Sequence, residues 1–386
     1  MPPLLWLFML TNLVIGTGAF APGGLVEPIA AGLGTGVAGA GQAMTAYAVV
    51  TAIGAPFVLM ATGGWPRRRV LLLGLVLFAL GNAVCAAAGS LAMLYAGRVL
   101  MGLGAVFTPV AAGIAVTLVP PAQRGRALAF VFLGVSLSYV TGLPLVTWAG
   151  LEFGWRWPLA AVALAALCML AVLAWRVPAA LNAPGASFAG LASLAAHGAL
   201  KRTLAVTLLY FTAIFTVFSY VGPVLTALVP MGASALALTI AGFGVSGVVG
   251  TLLGGWANDR FGARRTLTAQ LALLASMMVL VPFTAGNHAA MLAAFLAWGV
   301  AGFGMMAPQQ SRLTSFVPAS APLALSLNTS MVYLGTAAGA AVGGLAVARL
   351  GFAGLAWAGL PFALAALALL ALDRGARAAL PARAAR

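Results

Sequence analysis

Acidic side chains are almost missing from this chain: Glu27, Glu152, Asp259 and Asp373 are the only four in 386 residues. Nineteen Lys and Arg accompany them, so charged residues make up 6% of the chain and apolar residues 63%. Water-soluble domains carry about a quarter charged residues. With a mean hydropathy of +1.11, this chain cannot hydrate a surface of its own, and its solvent must be largely lipid. The composition predicts an all-α polytopic membrane protein whose few charges either mark membrane edges or sit inside the membrane for a reason.

The 48 glycines fit that reading, because small residues let helices in a bilayer approach closely. The net charge of +15 raises the question of nucleic acid. The bases, however, lie in short clusters between apolar runs, without an aromatic-studded basic face, and nucleic acid is not expected as a partner. Cys85 and Cys168 stand within apolar runs without metal-ligand spacing, so they read as packing residues, and no metal or cofactor is implied. Ala19-Phe20-Ala21 loosely matches a signal-peptidase site, but no basic segment precedes it, which favours an uncleaved first helix.

Spans of ~20 apolar residues, divided at Pro, Gly and charge, predict helices at 4–26, 42–62, 70–88, 91–118, 127–149, 157–176, 203–228, 236–257, 266–284, 290–314, 323–347 and 353–372. The expected organisation is a six-helix bundle over 1–176, a linker over 177–202 with His197 as a solvated residue, a second bundle over 203–372 and a basic tail over 373–386. With a cytoplasmic amino terminus, sixteen of the nineteen bases fall in inner connections or the tail, among them Arg67–Arg69, Arg124, Arg126, Lys201, Arg202 and Arg312. Arg156 and Arg349 fall outside, and Arg98 lies within a span. The positive-inside asymmetry therefore predicts both termini on the cytoplasmic side.

The two halves repeat. Ala61–Leu71 can be laid on Ala257–Leu267, each joining the second and third spans of its half. Gly102-Leu103-Gly104 with Pro109 corresponds to Gly302-Phe303-Gly304 with Pro308. Parallel six-helix repeats point to a transporter whose halves rock about a central site.

On these residues the chain resembles the major facilitator superfamily, and within it the bacterial drug:proton antiporters that include arabinose- and chloramphenicol-efflux-like permeases. The resemblance rests on four segments: the loop Gly255–Arg265, the fourth-span segment Leu94–Ala105 with Arg98, Gly134 with Gly142-Leu143-Pro144 in the fifth span, and Gly154-Trp155-Arg156-Trp157 before the sixth. It implies a monomeric, proton-gradient-driven exporter in the bacterial inner membrane. Asp259, Arg260, Gly262, Arg264 and Arg265 would form a conformational latch; a static topology anchor is the alternative. The amino-terminal copy has Gly63 where Asp259 stands, so the latch would be one-sided.

An arginine in a membrane helix costs at least ~2.5–3.5 kcal/mol on insertion scales. Arg98 is therefore expected to face a cavity, anchoring substrate or organising a proton path, unless it snorkels to the edge. Gly142 and Pro144 are expected to bend the fifth span, or simply to pack closely. Polar groups within spans prefer the bundle interior, and this makes Tyr47, Tyr139, Tyr220, Gln309 and Asn328 the candidate substrate contacts, in a cavity shared with Phe20, Phe215 and Phe218. Related antiporters keep a carboxylate in the first span where this chain has Ala19. Glu27 is the remaining candidate proton carrier, and a hydrated boundary role is its alternative. His288 is expected in an exposed turn.

The expected function is export of small amphipathic molecules, drugs or sugar-like metabolites, by alternating access. A facilitator or importer of a neutral metabolite is the alternative. No nucleophile, base or metal constellation suggests an enzyme.

Overall fold

The computed structural model describes residues 2–62, 64–120, 123–178, 198–317 and 321–372. Among them, twelve helices are long and apolar enough to cross a membrane. They are α1 (Pro3–Gly32), α2 (Val37–Ala61), α3 (Arg67–Ala86), α4 (Leu91–Ala115), α5 (Arg124–Glu152) and α6 (Arg156–Arg176), then α7 (Gly198–Phe218, resuming over Val221–Leu228), α8 (Ala233–Phe261), α9 (Ala263–Thr284), α10 (His288–Phe316), α11 (Ala321–Leu350) and α12 (Leu355–Leu372). Many helices overrun the expected spans because backbone pairing continues past the apolar run. Lys201 and Arg202, expected in the linker, sit in the first turns of α7, and Arg312, expected in a connection, is buried in α10. His197 and Asp373 lie outside the described residues.

Several helices deviate where a proline removes a backbone N–H from the carbonyl four residues earlier. α4 breaks before Pro109, and the Ala105 carbonyl takes the N–H of Thr108 instead, at 3.2 Å. α10 breaks at Met305, ahead of Pro308, and α7 breaks at Ser219–Tyr220, ahead of Pro223. In α5 the turn Ser138–Gly142 widens to a π-helix just ahead of Pro144, with the Leu143 N–H reaching back to Ser138. A π-helical turn thus stands in the fifth span, where a bend or close packing was expected.

Each half is a bundle, and the halves meet along α1 with α7, α2 with α11, and α5 with α8. The face that carries Arg67–Arg69, Arg124, Arg126, Arg264 and Arg265 is called here the basic face. From mid-depth toward the opposite face the halves close on one another. A Cβ on Gly244 of α8 would lie 2.5 Å from the Tyr139 carbonyl of α5. One on Gly222 would lie 2.9 Å from the Gly24 carbonyl. Such close backbone approach requires glycine.

Candidate functional site

Where the halves meet at mid-depth, aromatic rings fill the junction. Phe20 of α1 lies 4.7 Å from Tyr139 of α5, centroid to centroid, and 6.0 Å from Phe215 of α7. Tyr139 also meets Phe303 of α10 at 4.9 Å and Phe218 at 5.7 Å, and Tyr47 of α2 meets Tyr333 of α11 edge-on at 6.3 Å. All of these contacts except Phe20–Tyr139, which pairs two rings of the first half, cross between halves. The π-bulge of α5 contains Tyr139, so this wider turn sits at the junction itself. Apolar faces with a few phenolic hydroxyls suit an amphipathic solute.

Arg98 lies behind this junction and is 1% exposed. Its Nε donates to the Ala43 carbonyl at 3.1 Å, Nη1 to Gly18 at 2.9 Å and Nη2 to Ala19 at 2.5 Å. Met44 and Met101 sulfurs complete its surroundings, and Tyr47 places its ring 5.0 Å from the guanidinium carbon. All these partners are neutral, so the charge is held by carbonyl dipoles, sulfur and a ring face.

The other expected contacts separate into two groups. Tyr220 stands at the break of α7, toward the face opposite the basic one. Its hydroxyl donates to the Ala340 carbonyl at 3.1 Å, and its ring lies against Gly41 of the other half. Gln42 and Thr45, which the sequence reading did not single out, join it there, donating to the carbonyls of Ala340 and Ala337 at 3.3 Å each. Their only sequence signal was polarity inside an apolar span.

Gln309 and Asn328 lie nearer the basic face, inside the second half. Gln309 Nε2 donates to the Thr203 carbonyl and, at 2.8 Å, to Thr207, whose hydroxyl donates to Asn328 Oδ1 at 2.6 Å. The first half repeats the device: Asn12 Nδ2 donates to the Val131 carbonyl at 3.0 Å, and Thr108 donates to Asn12 Oδ1 at 2.7 Å. In each half the first, fourth and fifth helices are tied together.

Asp259 and Arg260 belong to the last turn of α8, where a loop was expected, and the reversal into α9 takes one residue, Gly262, at φ 83°. Left-handed backbone of this kind favours glycine. Asp259 is exposed and accepts from Asn258 Nδ2 at 3.2 Å; among the described residues no ion pair to it occurs. Arg264 donates to the Ala371 carbonyl at the end of α12, at 3.1 Å, while Arg265 is exposed. Arg68 does the same to the Ala174 carbonyl of α6. Both place a cation at a helix carboxyl end, where the dipole favours it. Glu27 and His288 are exposed, at the ends of α1 and α10 that face away from the basic side.

Two matched helical bundles meeting over a shared aromatic junction are the architecture of a membrane transporter built from parallel repeats. The chain matches the Major Facilitator Superfamily over residues 8–322 and 225–385, and it belongs to that family. It is 32% identical over 336 residues to the inner membrane transport protein YdhP of Escherichia coli (strain K12), covering 86% of this chain and 85% of that one. It is 25% identical over 341 residues to the uncharacterized MFS-type transporter YbcL of Bacillus subtilis (strain 168), covering 88% and 87%. Among solved structures, a bacterial homolog of the lysosomal transporter Spinster, inward-facing and unoccupied, superposes with a TM-score of 0.76 at 16% identity, over 96% of both chains. A D-xylose-proton symporter gives 0.73 at 19% identity, over 95% of this chain and 96% of that one. These structural likenesses establish the fold, and the family is one of membrane transporters, not of enzymes.

Proposed function

We propose that this transporter exports small amphipathic molecules across a bacterial inner membrane by alternating access, with the basic face cytoplasmic. The carrying observation is the aromatic junction, in which Phe20, Tyr47 and Tyr139 of one half face Phe215, Phe218, Phe303 and Tyr333 of the other. Opening toward the basic face would expose these rings to cargo, and rocking would expose them to the other side. A lost aromatic contact is worth about 0.5–1.5 kcal/mol. Tyr139→Ala is therefore expected to raise KM for the cargo about two- to tenfold in proteoliposomes challenged with a drug and sugar panel. An unchanged KM for every transported compound would remove the junction from the binding site.

Export driven by the proton gradient is the coupling that the antiporter resemblance favours, with Glu27 the remaining first-helix carboxylate. The second reading, an uncoupled facilitator of a neutral metabolite, draws on a specific observation: at Ala19, where related antiporters keep an acid, the backbone carbonyl meets Arg98. Collapsing the proton gradient separates the two readings. Coupled export stops, and Glu27→Gln uncouples it; facilitated flux continues down the cargo gradient and ignores Glu27→Gln. Asp259 acts in this scheme as a latch made when the basic face closes, so Asp259→Asn is expected to slow turnover and shift the conformational balance. Equal turnover and balance in that variant would leave the Asp259 turn as a static anchor.

A further inference from the structure

Pro22 lies inside α1, yet the helix runs through it unbroken from Pro3 to Gly32. In a regular helix the Gly18 carbonyl accepts from the N–H at position 22, and proline has none. A buried carbonyl without a donor is strongly disfavoured. The donor in this structure comes from another helix: Arg98 Nη1 of α4, at 2.9 Å, while Nη2 takes the neighbouring Ala19 carbonyl. We infer that Arg98 is a positioning residue, supplying to α1 the hydrogen bond that Pro22 withholds and fixing Tyr47 over its guanidinium.

Three observations support the assignment. The guanidinium is almost fully buried, so it is no snorkelling boundary residue. Its nitrogens are all engaged by α1 and α2 carbonyls and by sulfur, leaving no donor aimed at the junction. The Tyr47 ring stands between it and Tyr333 of the other half, 5.0 Å from the guanidinium carbon and 6.3 Å from the Tyr333 ring. Arg98 therefore reaches the junction through Tyr47, and its presence does not require a carboxylate partner. The inference concerns the geometry of α1 and holds whatever the cargo.

A double-mutant cycle on the full chain in nanodiscs tests it, using Arg98→Met, Pro22→Ala and the pair, with thermal unfolding and fluorine NMR of 3-fluorotyrosine-labelled protein as readouts. Tyr47→Phe assigns the Tyr47 resonance. Arg98→Met is expected to lower Tm and to move that resonance. Adding Pro22→Ala restores an N–H to the Gly18 carbonyl, so about half or more of the lost Tm returns, a non-additivity expected of coupled groups. The Tyr47 resonance stays displaced, because the guanidinium under the ring is still missing. If Arg98→Met does not fold, Arg98→Lys enters the same cycle with the same expectations. Strictly additive Tm shifts, or a Tyr47 resonance indifferent to the loss of Arg98, overturn the inference.

Discussion

Asn12 and Asn328 occupy different halves, and each accepts a threonine hydroxyl from a neighbouring helix. Interhelical hydrogen bonds of this kind in membranes are worth about 0.6–1.7 kcal/mol. Asn328→Ala is therefore expected to lower Tm by a few degrees while leaving KM for cargo unchanged, measured by thermal unfolding and proteoliposome uptake. A raised KM would return Asn328 to the cargo site, where its polarity within a span first suggested it belonged. Residue polarity showed which side chains face inward but not what they meet there. Arg98 makes the point most clearly, since its acceptors are backbone carbonyls of Gly18, Ala19 and Ala43, groups that carry no residue identity. Pro22 was the one readable trace of them.

Helices were more legible. Twelve spans, their order and the internal repeat follow from apolar length and the glycine and basic segments, because lipid demands long helices and gives each half the same constraints. Prolines carried further information: Pro109, Pro144, Pro223 and Pro308 each lie just beyond a break or bulge. The packing partners were not legible. In lipid both the buried and the exposed faces are apolar, so periodicity does not mark the inner face as it does in water. Trp175 at 78% exposed and Trp298 at 2% would be scored alike from sequence. At this scale the π-bulge of α5 is testable. Pro144→Ala restores a backbone N–H to the turn Ser138–Gly142 and should relax the bulge toward a regular helix. Turnover is expected to fall several-fold with KM little changed, if bending at Tyr139 accompanies each cycle; steady-state transport separates the two parameters.

At the scale of the whole molecule, the seal between the halves is made from close backbone contacts, tyrosine and neutral hydrogen bonds. Gln42 and Thr45 bridge to α11, the Tyr220 ring lies against Gly41, and the Tyr139 backbone meets Gly244. Among the described residues no ion pair spans this seal. Raising salt from ~0.1 to 1 M shortens the screening length from ~10 to ~3 Å. That change is expected to leave the balance between the two access states unmoved, as read by spin-label distances between α5 and α8. Gly244→Ala acts on sterics instead: its methyl would meet the Tyr139 backbone 2.5 Å away, which no rotamer relieves. The same distances should then shift toward the state open on the face away from the bases, and unchanged distributions would mean that the contact does not hold the seal.

The arginine clasps on the closing helices bear on how the polypeptide is strung together. Arg68 secures the end of α6 at Ala174, and Arg264 secures the end of α12 at Ala371, each to its own half. The end of α6 is thus held to its own half independently of the connection that follows it. Two separate polypeptides, one ending at 178 and one starting at 198, are expected to reassemble in a single bilayer and carry cargo at a turnover close to that of the intact chain. Co-expression of the two fragments, followed by co-purification and transport, measures this directly.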